Sequence, residues 1–364
     1  MYKYLKYYLL LVLIFCVDKV ALIPTVQLNF TNAAAVNPYL ETLDNQEPPV
    51  SLHKDRTVWI FGSSRSQPFA RFPVDEQTKA DPFLTPAEKE KVLATSFESF
   101  TYPAANPYLF LTRLHQLLDR GLKPDLIAIE LSPSALNKNR SINNVITMEG
   151  IPVKTVLRHP ESFPYEMQKD ILLSRLFATY RYKTNFFDLL LWRPRKQAAM
   201  FDQLGGLEAF QNQNRKFKDR VNRVFHDHEW GDLPLQAKDQ NERRLQLDDF
   251  TEFHEKLYYV GWVADPSLVD AIVTMARIGK ENSIPVIVFK PYVYPALNEL
   301  KTKYGFDKNI LPGLKSRLQA YNVHYIDFNE SQTIKCSYFI DASHLSNRCI
   351  TEMSARLLQS AGID

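Results

Sequence analysis

Two short stretches at opposite ends of the chain carry residue types able to do acyl-transfer chemistry. One is Gly62-Ser63-Ser64-Arg65-Ser66, which follows the apolar run Thr57-Val58-Trp59-Ile60-Phe61; the other is Asp341-Ala342-Ser343-His344. A serine hydroxyl is a weak nucleophile until a neighbouring base accepts its proton, and histidine is the side chain whose ordinary pKa suits that task near neutrality. An Asp-x-x-His spacing lets the Asp341 carboxylate reach its own histidine's Nδ1, on a loop or a first helical turn. That contact would fix the tautomer and leave Nε2 for the serine proton. Both stretches also have an ordinary structural use: Gly-Ser-Ser is a common turn and helix cap, and Asp341 could cap the last helix.

An early strand-Gly-x-Ser followed at the far end by Asp-x-x-His and a helix resembles the SGNH (GDSL-like) hydrolase superfamily. The family's first block aligns with Gly62, Ser63 and Ser64, and its last with Asp341 and His344. The Gly-Ser-Ser variant resembles the membrane-tethered envelope branch that includes the D-alanyl-transfer and alginate O-acetylation proteins. The resemblance spans roughly residues 55 to 360 with a long unmatched interior. It implies a doubly wound, flavodoxin-like parallel sheet, with Ser64 as nucleophile, His344 as base and Asp341 as its orienting partner. It also implies an O-acyl esterase or acyltransferase working without a cofactor on an acylated glycan or a lipid-linked substrate.

The match thins at the oxyanion donors. Where the family has a glycine, this chain reads Tyr102-Pro103-Ala104-Ala105-Asn106-Pro107, and where it has an asparagine, Leu131-Ser132-Pro133-Ser134 offers none. Candidate oxyanion or substrate-binding residues are therefore Ser63, Arg65, Ala105 and Asn106, with the backbone N–H of Ser64 or Arg65 as a further donor. Asn106 precedes Pro107 and reads more readily as a helix N-cap. Arg65 either binds an anionic group of a substrate or pairs with Glu130, the arrangement favoured by their places at two predicted sheet edges. The thinned blocks leave room for a second expectation, a non-catalytic member of the same fold that binds a glycan or a protein partner.

Positioning these residues requires a βα framework, and the pattern supplies one. Thr57–Phe61, Asp125–Leu131, Pro285–Phe289 and Val323–Phe328 read as buried strands, with a weaker strand near Lys91–Ser96. Helices are expected after Asn106-Pro107, ending before Gly121; after Asp265-Pro266; around Pro312–Tyr321; and over about Asn347–Gln359. Strands alternating with helices argue for a parallel α/β sheet. Between about 138 and 264 the rhythm gives way to a mostly helical, aromatic- and arginine-rich insertion, placed over the carboxyl edge of the sheet. Its aromatics, among them Phe177, Tyr180, Phe187, Trp192 and Phe201, read as core in preference to a carbohydrate platform.

Residues 1–26 read as a signal anchor or signal peptide, with Lys3 and Lys6 ahead of the apolar run Tyr7–Val17. That run is shorter than the roughly 20 residues a bilayer needs, and extending it takes in Asp18-Lys19. An uncleaved anchor is the preferred reading because no small-x-small site precedes a mature start. The lysines would stay in the cytoplasm and the body would face outward. Cys16 sits in a poor lipobox, after Phe15. Residues 27–54 read as a stalk or wrap-around segment, and 55–364 as the α/β domain.

The charge is nearly balanced, 44 basic against 41 acidic side chains, so nucleic acid is not an expected partner. Three cysteines make no disulfide framework. Cys336 and Cys349 bracket the Asp341–His344 loop and read as two small packed apolar side chains, or as a bridge in an oxidising compartment. His226-Asp227-His228 lacks a third ligand and reads as a solvated loop in preference to a metal site, and Gly205-Gly206 belongs to no phosphate loop.

Overall fold

The computed structural model describes residues 2–23, 26, 30, 55–70, 75–102, 105–139, 143, 150–182, 184, 186–193, 240–330, 334–346 and 349–362. The histidines at 226 and 228, Gly205-Gly206, Phe201 and nearly all of the 27–54 segment lie outside the described residues. The chain divides into two compact units, Met1–Gln46 with Ser141–Val221, and Glu47–Arg140 with Asn222–Asp364.

In the first unit, helix α1 (Tyr2–Lys19) exposes apolar side chains all round, including Tyr7, Tyr8, Leu9, Leu10, Leu13, Ile14 and Phe15. Among the described residues, no helix is long and apolar enough to cross a membrane. The Asp18-Lys19 pair that interrupts the apolar run has a local role. Buried Asp18 accepts hydrogen bonds from Ala178 N at 2.8 Å, Thr179 N at 2.9 Å and Thr179 Oγ1 at 2.6 Å, so it caps the helix Ala178–Tyr182. The interior stretch is thus divided: 141–221 groups with the N-terminus, and 222–264 with the α/β body. Phe177, Tyr180, Phe187 and Trp192 are exposed, not core.

The second unit is α/β, built on a five-stranded parallel sheet in the order β2-β1-β3-β4-β5. The strands are β1 (Arg56–Gly62), β2 (Thr95–Thr101), β3 (Leu126–Glu130), β4 (Val286–Lys290) and β5 (His324–Asp327). All residues of β3 and β4 are buried, as continuous apolar runs in a covered parallel sheet require. The longer helices of this unit are α2 (Pro86–Leu93), α3 (Pro107–Leu118), α4 (Gln240–Tyr258), α5 (Pro266–Glu281), α6 (Pro295–Lys303), α7 (Leu311–Gln319) and α8 (Ile350–Ser360). Such an alternation is consistent with a doubly wound fold.

The strand expected near Lys91–Ser96 is displaced. Thr85 and Glu88 form a reciprocal capping box that starts α2 and carries it through Leu93, so β2 begins only at Thr95. The 3-residue β6 (Phe339–Asp341) pairs antiparallel with β7 (His344–Leu345), forming a small hairpin ahead of α8. Cys336 and Cys349 are joined by a disulfide that encloses this hairpin, where two free packed thiols were the preferred expectation. Buried Glu352 of α8 accepts from Cys336 N at 2.8 Å, anchoring the same segment from the other side.

Candidate active site

β1 ends at Gly62, and the next four residues make a tight turn in which Ser66 N donates to Ser63 O. The organiser of this turn is Glu130, the last residue of β3, buried to 2 % exposure. Its carboxylate accepts from Ser63 N at 2.7 Å, Ser63 Oγ at 2.6 Å and Ser66 Oγ at 2.6 Å. A β-carbon on Gly62 would lie 2.5 Å from Glu130 Oε2 and 2.6 Å from Ser66 Oγ, which is why a glycine stands there. Sequence reasoning treated Glu130 only as a partner for Arg65. The signal that could have identified it is a carboxylate ending an otherwise apolar, buried strand beside the serine turn.

The turn presents Ser64 to the β6–β7 hairpin. Ser64 Oγ lies 2.8 Å from His344 Nε2, and His344 Nδ1 lies 2.9 and 2.8 Å from the two oxygens of Asp341. A carboxylate only accepts, so Nδ1 carries the proton and Nε2 faces the hydroxyl as an acceptor. Asp341 Oδ1 also accepts from Ser343 N at 2.7 Å, Ser343 Oγ at 2.9 Å and His344 N at 2.9 Å, which closes the turn on its own carboxylate. Burial would raise the Asp341 carboxyl, but the His344 imidazole and these donors hold it well below the usual carboxylate range. Tyr294 N donates to Ala342 O at 2.9 Å and ties the hairpin tip to the start of α6.

The other candidates have different surroundings. Ser63 has both its N–H and its hydroxyl on Glu130, so it is part of the scaffold. Ala105 N donates to Tyr102 O at 3.0 Å, which removes it as an oxyanion donor. Asn106 Oδ1 accepts from Leu109 N at 3.2 Å, the N-cap of α3. Arg65 lies 3.9 Å from Glu130, beyond hydrogen-bond reach, and its Nη1 donates to Ser132 Oγ at 2.6 Å. The structure therefore brings together Ser64, His344, Asp341 and Arg65, and leaves Ser63, Ala105 and Asn106 in structural roles.

Sequence reasoning missed His254, on α4. This helix is fixed at the hairpin by Arg243, whose Nη2 donates to Phe339 O, and at α6 by Tyr304 Oη, which donates to Glu255 at 2.6 Å. His254 is 8 % exposed and lies between the tilted rings of Phe250 and Tyr258, with ring centroids 4.8 and 5.2 Å away. Burial, then the charge of Arg65, drives its pKa down to about 4, with Asp341 opposing, so it is neutral at physiological pH. Among the described residues no group of three metal-ligating side chains comes together.

A family model described as "Protein of unknown function (DUF1574)" matches residues 2–360, and the chain belongs to that family. No curated protein and no solved structure matches it.

Proposed function

We propose that the chain is a serine-dependent O-acyl esterase or acyltransferase of SGNH type, acting in the cell envelope on an acylated glycan or lipid-linked substrate. The observation that supports this most is the single line of contacts Ser64 Oγ–His344 Nε2 and His344 Nδ1–Asp341, all at 2.8–2.9 Å. In this reading His344 takes the Ser64 proton as Oγ bonds to the acyl carbon, and the carbonyl becomes an oxyanion. When the C–O bond of the ester breaks, His344 returns the proton to the departing alcohol, leaving an acyl-serine. Water or a sugar hydroxyl then attacks that acyl group, with His344 again removing and returning a proton. The backbone N–H of Ser64 is the oxyanion donor in this account, worth about 3 kcal/mol at comparable sites, because the Arg65 N–H donates to Ser63 Oγ.

The strand order, 2-1-3-4-5, is the flavodoxin-like one, and Ser64 follows β1 at the carboxyl edge where such sheets bind ligands. Segment 240–264 supports the helical-insertion reading through α4. An exported location is supported by the disulfide, which suits an oxidising compartment, and a membrane tether by the exposed apolar surface of α1. A second reading, a non-catalytic binder of a glycan or protein, is favoured by one observation: the Ala105 N–H is bonded to Tyr102 O.

Release of 4-nitrophenol from 4-nitrophenyl acetate by the full chain separates the two. The enzyme reading expects turnover lost on Ser64→Ala and reduced at least a thousandfold on His344→Gln. Wild-type protein no faster than Ser64→Ala would leave the binding reading.

A further inference from the structure

A shallow, open cleft lies at the carboxyl ends of β3 and β4, and Arg65 is one of its walls. Its other polar lining is Ser132 past β3, Lys290 at the end of β4, and Asn298 and Lys301 from α6, with Tyr259 beside them. Arg65, Lys290 and Lys301 thus share the lining of a space that, among the described residues, contains no carboxylate. The acids that balance them stand behind the walls. Asp327 is 2.6 Å from Lys301 Nζ and 3.5 Å from Lys290 Nζ, while Asp307 and Glu130 lie 3.9 Å from Lys301 and Arg65.

These contacts leave donors in hand. An ammonium has three N–H groups and a guanidinium five. Lys301 gives a hydrogen bond to Asp327 and one to Lys290, Lys290 gives one to Asn298 Oδ1, and Arg65 gives one from Nη1 to Ser132. Arg65 Nε is buried with no hydrogen-bond partner among the described residues, an unmet donor in a site where one usually costs 1–3 kcal/mol. Two lysines sharing the buried carboxylate of Asp327 also repel each other. Burial together with the Lys301 charge brings the Lys290 ammonium down to about 7 in spite of Asp327. An entering anion would accept from these donors and ease that repulsion. Neutral sugar hydroxyls would do the first and not the second.

We propose that this cleft is a subsite for an anionic oxygen group, phosphate or carboxylate, carried by the substrate of the Ser64 centre. The inference rests on the esterase or transferase reading and narrows its substrate class. Arg65 follows Ser64 directly and lines the cleft, so the nucleophile and one wall of the cleft belong to the same turn. The chain would then select anionic acyl esters over neutral ones. Arg65 would clamp the anion from the nucleophile's side, and Lys290 and Lys301 from the side of the sheet.

The test is calorimetric titration of the full chain with phenyl phosphate and, separately, with benzoate, which distinguishes a phosphate from a carboxylate site. Binding of at least one is expected, unchanged in Ser64→Ala and weakened at least tenfold in Lys301→Met and in Arg65→Met. If Lys301→Met fails to fold by circular dichroism, Arg65→Met and Asn298→Leu decide in its place. A parallel steady-state comparison uses 4-nitrophenyl acetate and the anionic mono-4-nitrophenyl succinate. Lys301→Met is expected to raise KM for the anionic ester at least tenfold more than for the neutral one. Absence of binding of either anion at millimolar concentration, or variants that bind as the wild type does, would overturn the subsite. Anion binding does not need turnover, so binding without esterase activity sinks only the enzyme reading. Activity on the neutral ester without anion binding sinks only the subsite.

Discussion

Replacement of Glu130 should uncouple the serine turn from the sheet, and the cost follows from its contacts. Three donors, Ser63 N, Ser63 Oγ and Ser66 Oγ, converge on its buried carboxylate at 2.6–2.7 Å. Hydrogen bonds to a charged group contribute about 1.5–3 kcal/mol each, and a buried donor left without a partner costs about 1–3 kcal/mol. The two hydroxyls can rotate to other acceptors, but the Ser63 N–H is held by the backbone. Glu130→Ala should therefore destabilise the fold by about 4–6 kcal/mol. Glu130→Gln keeps an acceptor for Ser63 N and Ser66 Oγ, and its amide can donate to Ser63 Oγ, so about 2 kcal/mol is expected. Urea unfolding followed by tryptophan fluorescence measures both, since Trp59 sits in β1 next to this turn. An Ala variant within 1 kcal/mol of the wild type, or a Gln variant as damaging as Ala, would refute the view that Glu130 holds the turn as a hydrogen-bond acceptor.

Gly62→Ala, which drives a β-carbon to 2.5 Å from Glu130 Oε2, should cost about 1–3 kcal/mol and lower serine reactivity; a stability equal to wild type in the same urea titration would contradict this. Cys336→Ser opens the covalent loop around the hairpin and should cost about 3 kcal/mol in thermal or chemical unfolding, with activity lost well before the fold is. Treatment of the wild type with a reductant should reproduce both effects. His254 stays neutral in the fold down to about pH 4, whereas its unfolded value is near 6.5, so the unfolded chain binds more protons between those values. Stability should be full above pH 6.5 and fall by about 3 kcal/mol as the pH drops to 4, a loss that His254→Phe should reduce when unfolding midpoints are compared across that window.

The main features of the α/β body were legible because local chemistry sets them. Asn106-Pro107 and Gly121 bracket α3 as capping rules require, with Gly121 at φ +77°. The apolar runs at β1, β3, β4 and β5 found their places in a parallel sheet. The Asp341–His344 spacing pointed to a contact made within one turn, and the hydrogen bonds of Asp341 to its own loop account for that. What was not legible depends on contacts distant in sequence. Thr85-Pro86-Ala87-Glu88 was a readable capping box, and overlooking it shifted β2 toward Lys91. The bridge between Cys336 and Cys349 depends on a hairpin that folds their segments together, which no spacing rule requires. Glu130 and His254 look like a strand end and an aromatic-helix residue until the serine turn and α4 meet them. The division of the interior stretch at about residue 221 reflects packing partners, the N-terminal segment for one part and the α/β body for the other.

The measurement closest to the central claim is covalent labelling of the full chain with a fluorophosphonate, followed by mass spectrometry of its peptides. The account predicts a phosphonyl adduct on Ser64, absent in Ser64→Ala and slowed at least a hundredfold in Asp341→Asn, with Ser63 and Ser66 unmodified. Folded wild-type protein that takes no label at Ser64, or that labels at an unchanged rate once Asp341 is altered, would contradict it.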